Sequence, residues 1–221
     1  LIKMPILPSG VHKLEVRFSS KTEYVRVVAA PAKAPSIASI TGEERVWGVN
    51  AALYGLHSKR NPSLGDFEDL ANLSKSCASK GADFLGINPV HAIGWQSDEV
   101  ISPYSPTHRG FLNSNHIALD KITPASEKTR RLIADWQRAA ELMTNALVDY
   151  EFYLKKQKNI LQLLYKDFCE LGTQEQKNAF RSFRKTNNAL DLFTKYEVLS
   201  EAFGEDWRLW QADLQDHNTA K

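Results

Sequence analysis

The run Phe84-Leu85-Gly86-Ile87-Asn88-Pro89-Val90-His91-Ala92, followed by Ser102-Pro103-Tyr104-Ser105-Pro106, decides the fold. Its apolar start, Phe84 to Ile87, stops at a polar cluster. The loop beyond carries Trp95, Tyr104, His108 and Arg109, and Pro103 and Pro106 stiffen it by locking φ. A buried strand that ends in Asn-Pro and opens into an aromatic-bearing loop is how a parallel barrel presents a binding surface at its C-terminal face. Flat rings and an amide suit a sugar. The rings stack on its apolar face and the amide bonds its hydroxyls.

Working outward, residues 46–54 read as the first strand of such a barrel and Ser58 to Ser63 as a loop. Asp66 to Ser79 reads as a helix, with Phe67, Leu70, Leu73 and Cys77 on one stripe. Gly81 follows as a left-handed cap. Asp83 to Ile87 is then the second strand, parallel to the first through a right-handed crossover, with a long loop over 88–116. Two such units cannot close an eight-stranded barrel, which takes about 250 residues. The 221 residues therefore read as the front part of a larger enzyme.

Before the barrel, residues 1–30 read as the end of a small β-module. His12 to Phe18 alternates polar and apolar side chains, and Tyr24 to Val28 is β-branched after a polar turn. Residues 31–45, with Pro31 and Pro35, read as a linker. The barrel start with its substrate loop occupies 46–123. Residues 124–221 read as a helical insertion, so helix predominates in an α/β chain. Thr123-Pro124 predicts an N-cap followed by proline at the first helical position. Leu132, Trp136, Ala139, Met143 and Ala146 form one stripe, and Tyr153, Ile160, Leu164, Phe168 and Leu171 the next, up to Gly172. Thr173 with Gln176 is a capping box. Phe180 and Phe183 follow, then Leu192, Phe193, Tyr196, Leu199 and Phe203, up to Gly204. These stripes read as core.

The stretch from Trp47 to Asn113 resembles the amylomaltases, the 4-α-glucanotransferases of glycoside hydrolase family 77. The matching words are Trp47-Gly48-Val49-Asn50-Ala51-Ala52-Leu53-Tyr54, Gly65-Asp66-Phe67-Glu68-Asp69-Leu70 and Lys80-Gly81-Ala82-Asp83-Phe84. They continue through Asn88 to Ala92 and Ser102 to Pro106, then Arg109 and Phe111-Leu112-Asn113, in the family's order and near its spacing. Beyond them the likeness is looser, through Leu147-Val148-Asp149-Tyr150 and the pair Trp207 and Trp210. Some positions depart from the family pattern. His57 replaces a common Arg, and Pro62-Ser63 replaces Trp-Gly. Thr107-His108 and Gly110 replace a Ser-Ser and Arg setting, and Ser114-Asn115-His116 a Pro-Leu-Tyr-like run. These changes bear on glucan chain-length preference.

Composition bounds the alternatives. Hydrophobic residues at 43% and charged residues at 24% make a globular chain rather than a disordered one. A net charge of +2, with Lys and Arg scattered, argues for no nucleic acid. No apolar run approaches the roughly 18 residues of a membrane helix, and no signal peptide starts the chain, so the cytoplasm is expected and no membrane partner. Cys77 and Cys169 lie far apart and read as buried free thiols of a reducing compartment.

Among candidate site residues, Tyr104 comes first. Between two Ser-Pro steps its ring can stay open to a sugar face, and the resemblance implies stacking on the glucosyl unit at the cleavage point. Ser102 can bond a sugar hydroxyl, or simply close a turn. Asn88 and His91 sit where strand meets loop. His91 can donate to a sugar oxygen, and both can equally satisfy loop backbone groups, the structural role being favoured for Asn88. Arg109 completes the expected substrate-binding set. Asp66 is explained as an N-cap. Asp69, Asp83, Asp98, Glu99 and Asp120 offer no convincing acid–base pair. His57 and Arg60 line the first loop or sit in solvent. Trp207 and Trp210 can form a second glucan surface, although two such rings on one turn more often make a packing edge. No metal spacing, phosphate-binding loop, dinucleotide fingerprint or nucleophile elbow appears, so no cofactor or metal is expected.

The resemblance implies retaining disproportionation of α-1,4-glucans, with maltooligosaccharides as partners and glucose as an acceptor. An aspartate attacks and a glutamate serves as acid and then base, both on later strands. No catalytic acid is then expected within residues 1–221. The competing reading is a non-catalytic glycan-binding or interaction protein complete at Lys221.

Overall fold

The structure, a computed structural model, describes residues 5–95, 101–141 and 147–216. The chain divides into two compact units, Leu1–Val46 and Trp47–Lys221. Helices take up far more of it than strands.

In the first unit, β1 (Gly10–Arg17) pairs antiparallel with β2 (Thr22–Ala29), from Gly10 opposite Ala29 to Arg17 opposite Thr22. Alternation puts His12, Leu14 and Val16 opposite Val27, Val25 and Glu23 on one face. Lys13 lies across from Arg26 on the other face, its ammonium 3.7 Å from the Tyr24 ring centroid. The stretch read as linker holds one helical turn, α1 (Ile37–Thr41). Ser36 caps it by accepting the Ser39 amide, and Gly42 ends it at φ 78°.

In the second unit, β3 (Gly48–Ala51) leads through the 3-10 turn Leu53–Gly55 and a loop into α2 (Phe67–Ser79), then β4 (Phe84–Ile87). β3 and β4 pair in parallel, Gly48 with Phe84 through Ala51 with Ile87, as the pattern predicts. The result is one βαβ unit. Asp83 ties its entry: its carboxylate accepts the Trp47 amide at 3.0 Å while its own amide donates to the Trp47 carbonyl at 2.8 Å. α2 starts in a full capping box. The Asp66 carboxylate accepts the Glu68 and Asp69 amides, and Asp69 accepts the Asp66 amide. It ends in a Schellman motif, where Gly81 (φ 80°) donates to Ala78 and Ala82 to Cys77.

The expected long loop is in part a ribbon. β5 (His91–Ala92) pairs antiparallel with β6 (His108–Leu112), His91 with Leu112 and Ala92 with His108, across an irregular register. Below it lie 3-10 turns at Ser114–His116 and Leu119–Lys121.

The helical region holds α3 (Glu127–Glu141), α4 (Tyr150–Leu171), α5 (Gln174–Thr186), α6 (Leu190–Phe203) and α7 (Ala212–Gln215), with a 3-10 turn at Trp207–Leu209. α3 begins three residues later than the Thr123-Pro124 signal predicts, and that peptide is cis. Ser126 caps it instead, its hydroxyl accepting the Thr129 amide and its carbonyl the Arg130 amide. The buried stripe of α3 is Thr129, Ile133 and Trp136, one residue round from the predicted one, and Ala139 is exposed. Met143 and Ala146 lie outside the described residues. The Thr173–Gln176 capping box is present, and Asp149 caps α4.

The core joins Leu64 and Leu119 to Ala125, Ile133 and Trp136 and to Tyr153, Leu154, Ile160 and Leu164 of α4. Periodicity overstates burial beyond it. Leu171, Phe180, Phe183, Leu192 and Phe203 are exposed, even though the Phe180 ring packs on Tyr165 and Phe168 of α4. Cys169 is exposed rather than buried and Cys77 half-buried. Cys169 lies about 140° around the helix from buried Leu164, off the packed stripe. Among the described residues no helix is long and apolar enough to cross a membrane.

Candidate functional site

The site grows from the end of β4. Asn88 is buried, and both ends of its amide are engaged: Oδ1 accepts the Leu53 amide at 2.6 Å and Nδ2 donates to the Pro89 carbonyl at 2.8 Å. Asn88 thus clamps the exit of β4 to the turn after β3. The chain then enters the β5–β6 ribbon, closed at its base by Asn113 N–H to Val90 at 2.9 Å and Thr107 N–H to Ala92 at 2.8 Å. The described residues 93–95 and 101–106 lie between these two closures along the chain. His91 is half-buried opposite Leu112, and Arg109 is exposed on β6.

At the tip, Ser102 forms a serine turn. Its hydroxyl accepts the Tyr104 amide at 3.3 Å and its carbonyl the Ser105 amide at 3.1 Å. The turn, with prolines on both sides, holds the Tyr104 ring out, and that residue is 71% exposed. Trp95, at the root of the loop, packs against the core with Lys158 6.0 Å above its ring, and Lys158 also pairs with Glu201.

The outgoing arm is held by α6, which the sequence did not foretell. Phe111 stacks on Phe193 with centroids 4.2 Å apart, and the His108 ring packs on both. His108 Nδ1 accepts the Gly110 amide. The Thr107 hydroxyl lies 3.1 Å from both the Ala92 carbonyl and the Glu197 carboxyl. The Thr107 hydroxyl is shared between these two acceptors as a three-centre donor. Burial pushes the Glu197 carboxyl up, against a smaller lowering by the bond that Thr107 donates to it.

A separate ionic knot is centred on Arg60. Its guanidinium pairs with Asp66, with Asp69 at 3.0 Å and with Asp120 at 2.6 Å, joining the first loop, the start of α2 and the Leu119–Lys121 turn. Asp69 also accepts from Ser58 and Asn61, each at 2.7 Å. Burial works against ionising Asp69, but those bonds and Arg60 hold its carboxyl below the ordinary value. At Asp66, burial and the neighbouring Asp69 charge outweigh Arg60 and push the carboxyl up. Arg60 itself is held firmly protonated: burial opposes its charge and the carboxylates outweigh that. Gly65 must be glycine here, since a Cβ would sit 2.0 Å from the Leu53 carbonyl. The Gly65 carbonyl accepts from His116 Nδ1 at 2.8 Å, and burial lowers that imidazole's affinity for a second proton.

Of the predicted site residues, the structure brings Ser102 and Tyr104 together on one exposed turn, while His91 and Arg109 lie on the β5–β6 ribbon and Asn88 at the end of β4. Asp98 and Glu99 lie outside the described residues. Asp66, Asp69 and Asp120 are committed to Arg60. Sequence reasoning left Arg60 undecided and missed Glu197. Arg60 stands six and nine residues from its aspartates with no periodicity to link them, and Glu197 is ninety residues from Thr107.

A family model described as 4-alpha-glucanotransferase matches residues 51–221. The chain is similar to the 4-alpha-glucanotransferase of Haemophilus influenzae, 28% identical over 242 residues that take in 100% of the chain and 34% of that protein. It is equally similar, at 28% identity, to that of Mycobacterium tuberculosis, over 95% of the chain and 30% of the relative. It also resembles the crystal structure of amylomaltase from Corynebacterium glutamicum, with a TM-score of 0.73 and 28% identity over 89% of this chain and 28% of that one. The chain thus spans about a third of the length of the curated relatives it matches. With more than half of its residues matched, the chain belongs to the 4-alpha-glucanotransferase family, glycoside hydrolase family 77.

Proposed function

We propose that this chain supplies one wall of the donor-sugar cleft of a 4-alpha-glucanotransferase. The observation that carries the reading is Tyr104, a ring 71% exposed on a turn that the ribbon and α6 hold rigid. A preorganised ring loses little entropy on stacking against a pyranose. Ser102 on the same turn and Arg109 and His91 on the ribbon offer hydrogen-bonding groups, while Asn88 fixes the end of β4 that leads into them. β3 and β4 are read as neighbouring strands of a parallel barrel whose C-terminal face holds the cleft.

The reaction is transfer of an α-1,4-glucan segment to the 4-hydroxyl of another glucan or of glucose. A retaining double displacement needs a nucleophilic carboxylate and an acid–base carboxyl about 5 Å apart. The buried aspartates here are bound to Arg60 and to amides, which suits a structural knot and not a reacting pair. The family resemblance assigns the reacting carboxylates to later barrel strands, outside these 221 residues. Transfer prevails over hydrolysis when a bound acceptor sugar occupies the site in place of water. α-1,4-Glucans are the partners, and the reaction needs no cofactor.

The test is disproportionation of maltotriose by the full-length protein. Wild-type protein forms glucose and longer maltooligosaccharides, and Tyr104→Ala loses at least about tenfold in kcat/KM. Release of glucose without longer products, or an unchanged Tyr104→Ala, overturns the reading. So does transfer by residues 1–221 alone, which would put the reacting acids within them.

A further inference from the structure

Three side chains on one face of α6 reach the two ends of the tyrosine loop. Phe193, Glu197 and Glu201 stand four residues apart, within about 80° around the helix. Phe193 stacks on Phe111 of β6, with centroids 4.2 Å apart. Glu197 accepts the Thr107 hydroxyl at 3.1 Å. Glu201 pairs with Lys158, whose ammonium lies 6.0 Å from the centroid of the Trp95 ring at the root of the loop. The first two contacts hold the outgoing arm, and the third reaches the incoming one.

Of these contacts, the one at Glu197 falls nearest to Tyr104 along the chain. Only Ser105 and Pro106 stand between Tyr104 and Thr107, and the Pro106 ring fixes its φ. Thr107 is also tied to β5, its amide donating to the Ala92 carbonyl at 2.8 Å and its hydroxyl reaching the same oxygen at 3.1 Å. A shift of Thr107 is therefore passed to the tyrosine turn through few free torsions. Glu197 is half-buried, where a carboxyl costs more to place than an aliphatic side chain of similar size. What the carboxyl adds over packing is a directional bond.

We infer that Glu197 is a positioning residue for glucan transfer: through Thr107 it fixes the arm that sets where the Tyr104 ring meets the donor sugar. The inference rests on the glucan reading of the tyrosine loop. Glu197 acts through Thr107 and needs no contact with sugar. A loop held in place before the sugar arrives loses less entropy on binding than one that the sugar must order. Releasing the anchor therefore falls mainly on KM and less on kcat.

The experiment is steady-state disproportionation of maltotriose by the full-length protein, with Glu197, Thr107 and Tyr104 varied singly and together. Glu197→Ala is expected to lower kcat/KM about fivefold, chiefly by raising KM. Thr107→Val keeps the shape of threonine without its hydroxyl and should lose as much, which keeps the test open if the alanine variant fails to fold. Glu197→Gln keeps an acceptor oxygen for Thr107 and should stay within about twofold of the wild type. In a Tyr104→Ala background, Glu197→Ala should cost less than about twofold more, because the ring it positions is gone. A residue that only supports the fold would cost the same in both backgrounds, so equal losses overturn the inference. So do unchanged kinetics in both Glu197→Ala and Thr107→Val while Tyr104→Ala is impaired. If Tyr104→Ala is itself unchanged, the reading of the tyrosine loop fails, and the positioning role falls with it.

Discussion

Thr107 and Glu197 meet at 3.1 Å, joining the arm that leaves the tyrosine loop to the middle of α6. The loop is therefore set by a helix far along the chain as well as by its own prolines.

The burial of Glu197 at this contact predicts a pH dependence. Burial raises the folded-state affinity of Glu197 for its proton above the unfolded value. Its stabilising contribution is then fully present below the unfolded carboxylate pKa and is lost as pH rises through the folded one. Glu197→Gln keeps a neutral group at every pH. The variant should melt near wild type at acidic pH and above it at pH 7, by no more than about 1 kcal/mol. Thermal melts across pH 4–8 check this, and a constant difference refutes it.

Ser63 has φ 99°, the one positive value at a non-glycine position among the described residues. A side chain is strained there. Ser63→Gly should stabilise the chain by about 1 kcal/mol. Denaturant midpoints are the measurement, and a destabilised variant would mean the bond between the Ser63 amide and Asn61 Oδ1 depends on the serine.

Arg60 is the cation that pairs with all three of Asp66, Asp69 and Asp120. Arg60→Met leaves three carboxylates without a paired cation, at a cost of about 3 kcal/mol at neutral pH. Without Arg60 the folded state takes up protons more readily, so the deficit should shrink as pH falls toward 4. Urea unfolding at pH 7 and pH 4.5 tests both statements.

Ile160 has no exposed surface and sits in the core on α4. Ile160→Ala should cost about 3 kcal/mol. Tyr104→Ala, by contrast, should leave stability within about 0.5 kcal/mol, because its ring packs on little. Parallel melts distinguish the two. A large loss at Tyr104 would make the ring a packing element.

Much of this molecule was legible in its residue order. The hairpin, the βαβ unit, the caps at Asp66 and Thr173 and the turns at Gly81 and Gly204 all follow from backbone preferences acting over a few residues. The polar pair Asn88-Pro89 marked the end of β4, and the prolines around Tyr104 marked an open ring. Helical stripes read less well, as Ala139 and Leu171 show, because periodicity tells which residues share a face and not whether anything covers that face.

What the sequence determined by itself is thus local: which segments become strand or helix, where each stops, and the family words that run from Trp47 to Asn113. Only tertiary structure decided that Arg60 would gather three aspartates, that Phe193 and Glu197 would hold the loop, and that Trp207 would stay open while Trp210 closed. Those outcomes depend on charges and surfaces brought together from distant parts of the chain. Their energies come from desolvation and packing, which exist only once the pieces have met.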